Sequence, residues 1–174
     1  MSKLRRFAVA VGLFFVISIS WANESVSAIT QKPMRVVVMP YKLLGNIDQK
    51  KLDSEHLQRL QFADKTLRSG LEETRLFELV DEKASKEFSN KVDTAISNNA
   101  CNRCETALAK DLNAKQIVVP WVYRLSQLVL TMHFVILDAD TGKTVLKKSL
   151  DFRGDNDQSW QRAIQFFVKT VGDS

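Results

Sequence analysis

Val36-Val37-Val38-Met39, entered from Arg35 and closed by Pro40, is an apolar run with no polar alternation. A strand with one wet face alternates, so this run must be covered on both faces, the condition of a strand sandwiched between helices. It predicts a first, central strand in an α/β arrangement. From Asp53 or Ser54, either able to cap a helix, Leu57, Leu60, Ala63, Leu67 and Leu71 recur three and four apart. That spacing predicts a long helix with one core-facing stripe. Leu76-Phe77-Glu78-Leu79-Val80 reads as a second short strand. A helix from Glu82 follows and ends in the turn-rich Ser97-Asn98-Asn99.

Cys101 to Asn113 suits another helix, with Leu108 and Leu112 four apart. Gln116 to Arg124, Leu128 to Leu137 and Thr144 to Phe152 read as three strands, rich in Val, Ile, Leu and aromatics. Asp138 to Lys143 is a hairpin turn with Gly142 where φ > 0 is needed. The third of these strands sets Leu146, Leu150 and Phe152 against Lys147, Ser149 and Asp151, so it belongs toward a sheet edge. Pro120 donates no hydrogen bond, which predicts a bulge or a locally unpaired stretch. A last helix from Asp157 carries Trp160, Ile164, Phe167, Val168 and Val171. The order is βα-βαα-βββ-α, an α/β chain with helices packed on a mixed sheet, as one domain over residues 34–174.

Ahead of this domain, Lys3, Arg5 and Arg6 precede an apolar run from Phe7 to Ile19, then Ser20 and Ala22. Residues 1–22 read as a secretory signal peptide, with an alternative cut after Ala28. The polar stretch 23–33 reads as a flexible linker. Cleavage leaves 146 to 152 of the 174 residues, enough for one core. The expected location is the periplasm. No later apolar run approaches the ~20 residues of a membrane-spanning helix, so membrane insertion after cleavage is not expected. The formal charge of +5 falls to +2 when Lys3, Arg5 and Arg6 leave, and to +3 if Glu24 leaves too. The remaining cations are interspersed with acids, so a nucleic-acid partner is not expected.

Several local motifs resemble known families. Val36-Val37-Val38-Met39-Pro40-Tyr41, Leu67-Arg68-Ser69-Gly70-Leu71 with Phe77 to Asp81, and Ala109 to Ala114 look like the TolB N-terminal domain and the CsgG-like α/β domains. A second resemblance covers most of the mature chain. Cys101, Cys104 and Glu105, then Leu128 to Met132, Asp138 to Lys143, and Arg153, Gly154, Asp157, Ser159, Trp160 and Arg162 follow the pattern of an exported bacterial family of unknown function. Pro120 stands where that pattern has glycine. The first resemblance implies a TolB-like sandwich, and the second implies a periplasmic protein of undefined activity.

Candidate sites carry two readings each. Cys101 and Cys104 can form a short-range disulfide in an oxidising compartment. The alternative is that Cys101, at a helix start, is a stabilised thiolate and a redox nucleophile. A metal would need two more ligands, and His56 and His133 lie in separate elements, so neither metal nor cofactor is expected. Asp138, Asp140 and Thr141, like Asp155, Asn156 and Asp157, lack the ligand spacing of a calcium loop and read as turn and cap residues. Trp160 beside Arg153, Asp157 and Arg162 has the composition of a partner-binding hot spot, while its helix could equally bury Trp160 in the core. His133 reads as a half-buried, hydrogen-bonded histidine rather than a catalytic base. No nucleophile set or phosphate loop stands out among six scattered glycines. The expectation is a non-enzymatic binding or assembly accessory with an envelope protein partner. A thiol-disulfide component using Cys101 and Cys104, and a small-ligand carrier, are the alternatives.

Overall fold

The computed structural model describes residues 32–45 and 54–173. The expected signal segment 1–22, the alternative cut after Ala28 and most of the 23–33 linker lie outside the described residues. Those residues form β1 (Met34–Val38), β2 (Lys42–Gly45), α1 (Ser54–Glu73), β3 (Phe77–Leu79), α2 (Glu82–Ser97), α3 (Cys104–Asp111), β4 (Gln116–Arg124), β5 (Val129–Asp138), β6 (Thr144–Arg153) and α4 (Asp157–Gly172). The sheet runs β3-β1-β4-β5-β6, with β2 also on β4. β1 is parallel to both its neighbours, and β4, β5 and β6 form an antiparallel meander. This is the α/β arrangement expected, with β1 inside the sheet and β6 at its end.

Consecutive side chains of β1 go to opposite cores. Val36 and Val38 join Leu67, Leu71, Val118, Phe134, Ile164 and Phe167 under α1 and α4, whereas Val37 joins Phe88, Val92, Ala109 and Ile117 under α2 and α3. The unalternating run is therefore satisfied by a helix layer on each face. In α1 the buried row is Arg59, Ala63, Leu67 and Leu71, each four residues from the next. Leu57, expected on that stripe, is 47% exposed. The row's first turn passes over polar groups beyond the sheet, and Arg59 occupies it. Farther along, Gly70 lets α1 approach α4, since a Cβ there would lie 2.8 Å from Val168 Cγ2.

β2 was not expected. It continues the line of β1 along β4, but from Val38 to Lys42 the chain advances four residues while Val118 to Trp121 advances three. The surplus residue makes a bulge-like break. Pro40 and Pro120 both sit at this break, where a missing N–H costs no ladder bond. α3 starts at Cys104 rather than Cys101 because Arg103 holds φ 57, a left-handed conformation that cannot propagate a helix. Gly142 turns the β5–β6 hairpin with φ 68, as its position required.

Arg68 ties the carboxyl ends of two parallel strands. Its guanidinium donates to Val38 O (2.8 Å) and to Val80 O just beyond β3 (3.1 Å), while Nε donates to Asp64 Oδ2 (3.3 Å). Asp64 is buried, and its Oδ1 has no hydrogen-bond partner. Burial raises the Asp64 carboxyl above the ordinary aspartate value, against the opposing pull of Arg68. The folded chain thus holds this proton more tightly than the unfolded chain. The resulting stability is present below the ordinary aspartate value and is lost as pH rises through the folded one. Asp64→Asn, which keeps an acceptor for Arg68, should gain on wild type across that window, by about 1.4 kcal/mol per pKa unit of elevation. Urea denaturation of both proteins over a pH series measures the difference.

Candidate functional site

Among the described residues, the helices leave part of one sheet face uncovered. α2 and α3 pack over β1 and the start of β4, on Val37 and Ile117, and the same face continues outward across β4, β5 and β6. Register places Lys42, Trp121, His133 and Ser149 in one row, with Lys42 Nζ held by Asp93 at 2.6 Å, and Tyr123, Thr131 and Asp151 in the next. Trp121 and His133 stack with ring centroids 4.8 Å apart and planes 12° from parallel. His133 Nδ1 lies 2.9 Å from Ser149 Oγ. Leu44 extends the Tyr123 row from β2.

This face is apolar and solvent-facing together. Tyr123 is 45% exposed, and Leu44 and Val129 are exposed beside it. At the β4–β5 turn Leu125 and Leu128 also face solvent, Leu128 at 70%. Scattered surface leucines need no explanation, but contiguous aromatic and aliphatic groups on one face do. Partial burial and nearby Lys147 lower the His133 pKa, outweighing Asp151, so the ring is neutral at neutral pH. Lys147, Asp151 and Arg153 on β6 form its polar margin.

A second cluster lies at the ends of β4 and α4 and is sealed. The Asp155 side chain, 8% exposed, accepts from Arg59 Nη1 (3.0 Å), Arg124 Nε (3.0 Å) and Trp160 Nε1 (3.1 Å). His56 Nε2 stands 3.6 Å away. Arg59 also holds Asp157 (3.1 Å) and Glu55 (2.6 Å). Asn156 caps α4 by accepting from Ser159 N. The Asp155-Asn156-Asp157 oxygens are thus committed to cations and a cap, and Asp138 Oδ1 likewise accepts from Asp140 N, Thr141 N and Thr141 Oγ1.

In open parallel sheets, ligands enter outside the carboxyl ends of strands whose connections diverge. β1 and β4 are such a pair here, and β2 occupies that position by pairing with Trp121 to Arg124. The Cys101 and Cys104 sulfurs lie at disulfide distance, 2.06 Å. With Glu105 they are the one group of His, Cys and acidic residues close enough to share a metal among the described residues, but bonded sulfurs are not thiolate ligands.

Of the four residues considered for partner binding, Arg153 and Arg162 line one groove between β6 and α4, and Asp157 and Trp160 do not line it. Trp160 is fully buried, 0% exposed, packed edge-on against Phe152. This corrects its reading as a surface hot spot: α4 turns its apolar face, Trp160 included, to the sheet. Arg153 lies exposed on the margin of the uncovered face, Asp157 binds Arg59, and Arg162 is exposed on α4 and reaches Ser159. Trp121 and Tyr123 escaped sequence reasoning. Their signal was the alternate face of the β5 sequence, on which His133 had been placed.

The profile of the DUF3280 family, described as "Protein of unknown function (DUF2380)", matches residues 34–171. Among curated proteins none matches. Solved structures with a similar fold include lipoprotein GNA1162 from Neisseria meningitidis, 12% identical with TM-score 0.49, over 82% of this chain and 100% of that one. The LpoB C-terminal domain from Escherichia coli is 14% identical with TM-score 0.47, over 68% and 81%. TolB from Acinetobacter baumannii is 10% identical with TM-score 0.44, over 81% of this chain and 27% of TolB.

Proposed function

This chain belongs to the DUF3280 family, of unknown function, and we propose that it is an exported, non-enzymatic binding module of the cell envelope. Its occupant is an apolar segment of an envelope protein, laid on the face around Trp121, Tyr123 and His133. One observation carries this: a stacked Trp121–His133 pair and an exposed Tyr123 share a sheet face with the exposed Leu44 and Val129. Large, rigid aromatics bordered by polar groups are the composition of binding hot spots. The basic Lys3-to-Arg6 start and the Phe7-to-Ile19 run support export. Among the described residues no helix is long and apolar enough to cross a membrane.

The thiol-disulfide reading is the less favoured. Glu105 Oε2 lies 3.6 Å from Cys101 Sγ and 3.8 Å from Cys104 Sγ. A carboxylate at that distance opposes a thiolate on either sulfur, the reverse of what a redox nucleophile needs. The pair therefore braces the entry to α3.

Trp121→Ala and Tyr123→Ala should each weaken partner binding by about 2 kcal/mol, some thirtyfold, while stability changes by less than about 1 kcal/mol. In-cell cross-linking followed by mass spectrometry, with and without reductant, reads this out. Reductant-resistant adducts lost in both variants support the proposal. Adducts that vanish with reductant and survive both substitutions reject it and favour the thiol reading.

A further inference from the structure

β6 ends the sheet, so along its ten residues one row of backbone N–H and C=O groups has no strand beside it among the described residues. Edge strands of this length invite pairing, and lysines are a common guard against it. Lys147 and Lys148 look like such a guard, but Lys147 and Asp151 stand equally far from Ser149. We propose that β6 pairs antiparallel with β6 of a second copy of this chain, about a two-fold axis at Ser149.

A two-fold perpendicular to the sheet sets each residue opposite the one equally far beyond Ser149, on the same face. Lys147 then faces Asp151 of the second copy, and Asp151 faces its Lys147. On the other face, Leu146 meets Phe152 and Lys148 meets Leu150, each twice. Moving the axis one residue either way destroys this match. Centred on Lys148, the two Lys148 side chains oppose each other; centred on Leu150, Lys147 opposes Arg153 twice. The charges therefore select one register. The strand is able to use it, because the pairing irregularity of β6 lies at its start, opposite Ile136/Leu137, and Leu146 to Arg153 pair regularly with β5. Asp151 already accepts from Thr131 Oγ1 within its own copy at 2.7 Å, which fixes the carboxylate on that face.

The margin of α4 agrees with the edge. Phe166, 53% exposed, lines a groove with Leu150, Phe152 and Arg162 beside β6, and Lys148 Nζ stands 5.3 Å from its ring. The two-fold brings the second copy's groove against this one and takes Phe166 out of water. The joined sheet also turns both Trp121 faces the same way, giving a divalent surface. The pairing does not rest on the docking proposal, because the edge and the face are separate.

Sedimentation velocity of the full exported chain over a concentration series tests this, with Lys147→Glu, Asp151→Lys and the double exchange. A monomer–dimer equilibrium is expected, weakened about tenfold or more by either single exchange, which sets like charges opposite one another twice, and restored by both together. Far-UV circular dichroism checks that each variant folds. A wild type that stays monomeric throughout, or a double exchange as weak as the singles, overturns the pairing.

Discussion

Asp155→Ala is expected to lower the free energy of unfolding by about 3–5 kcal/mol, a large part of the 5–15 kcal/mol a domain of this size holds. The carboxylate is the common acceptor for Arg59, Arg124 and the Trp160 indole, and the three charged side chains are 7%, 14% and 8% exposed for Arg59, Arg124 and Asp155. Removing it strands two cations and a ring N–H where water cannot replace the lost partner. Asp157 makes a similar bond to Arg59 from the surface, with its side chain 65% exposed. Asp157→Ala should therefore cost less than about 1 kcal/mol. Chemical denaturation of the two variants separates them, and equal losses would contradict the assignment of Asp155 as the hub.

Trp160→Ala is expected to cost about 3–5 kcal/mol by opening a cavity between α4 and the sheet. Trp160→Phe keeps much of the ring contact with Phe152 but loses the bond to Asp155, for about 1–2 kcal/mol. Thermal melts read both. A Trp160→Ala protein that melts like wild type would return this residue to the surface.

Elements whose signal is local were readable in the chain. β4 spans Gln116–Arg124 as its composition indicates, and α2 and α4 begin at Glu82 and Asp157, one residue after Asp81 and Asn156, whose side chains cap them. β2 was not readable, because four residues after a proline carry no period and their strand character comes from β4. The Asp155 hub was hidden for a different reason: Arg59 is 96 residues away in sequence, and each partner alone looks like an ordinary surface charge. The binding face was half readable. Alternation in β5 put His133 with Val129 and Val135, but which face the helices cover follows from the crossovers between β1, β3 and β4.

The most direct measurement places a photo-cross-linking amino acid at position 123, on the uncovered face, and at position 165, exposed on α4 on the opposite face, and irradiates intact cells. The docking account predicts one adduct, to a single envelope protein, from position 123 only, and its loss when Trp121→Ala is added. Equal adducts from both positions, or none from position 123 while position 165 captures a partner, would contradict it.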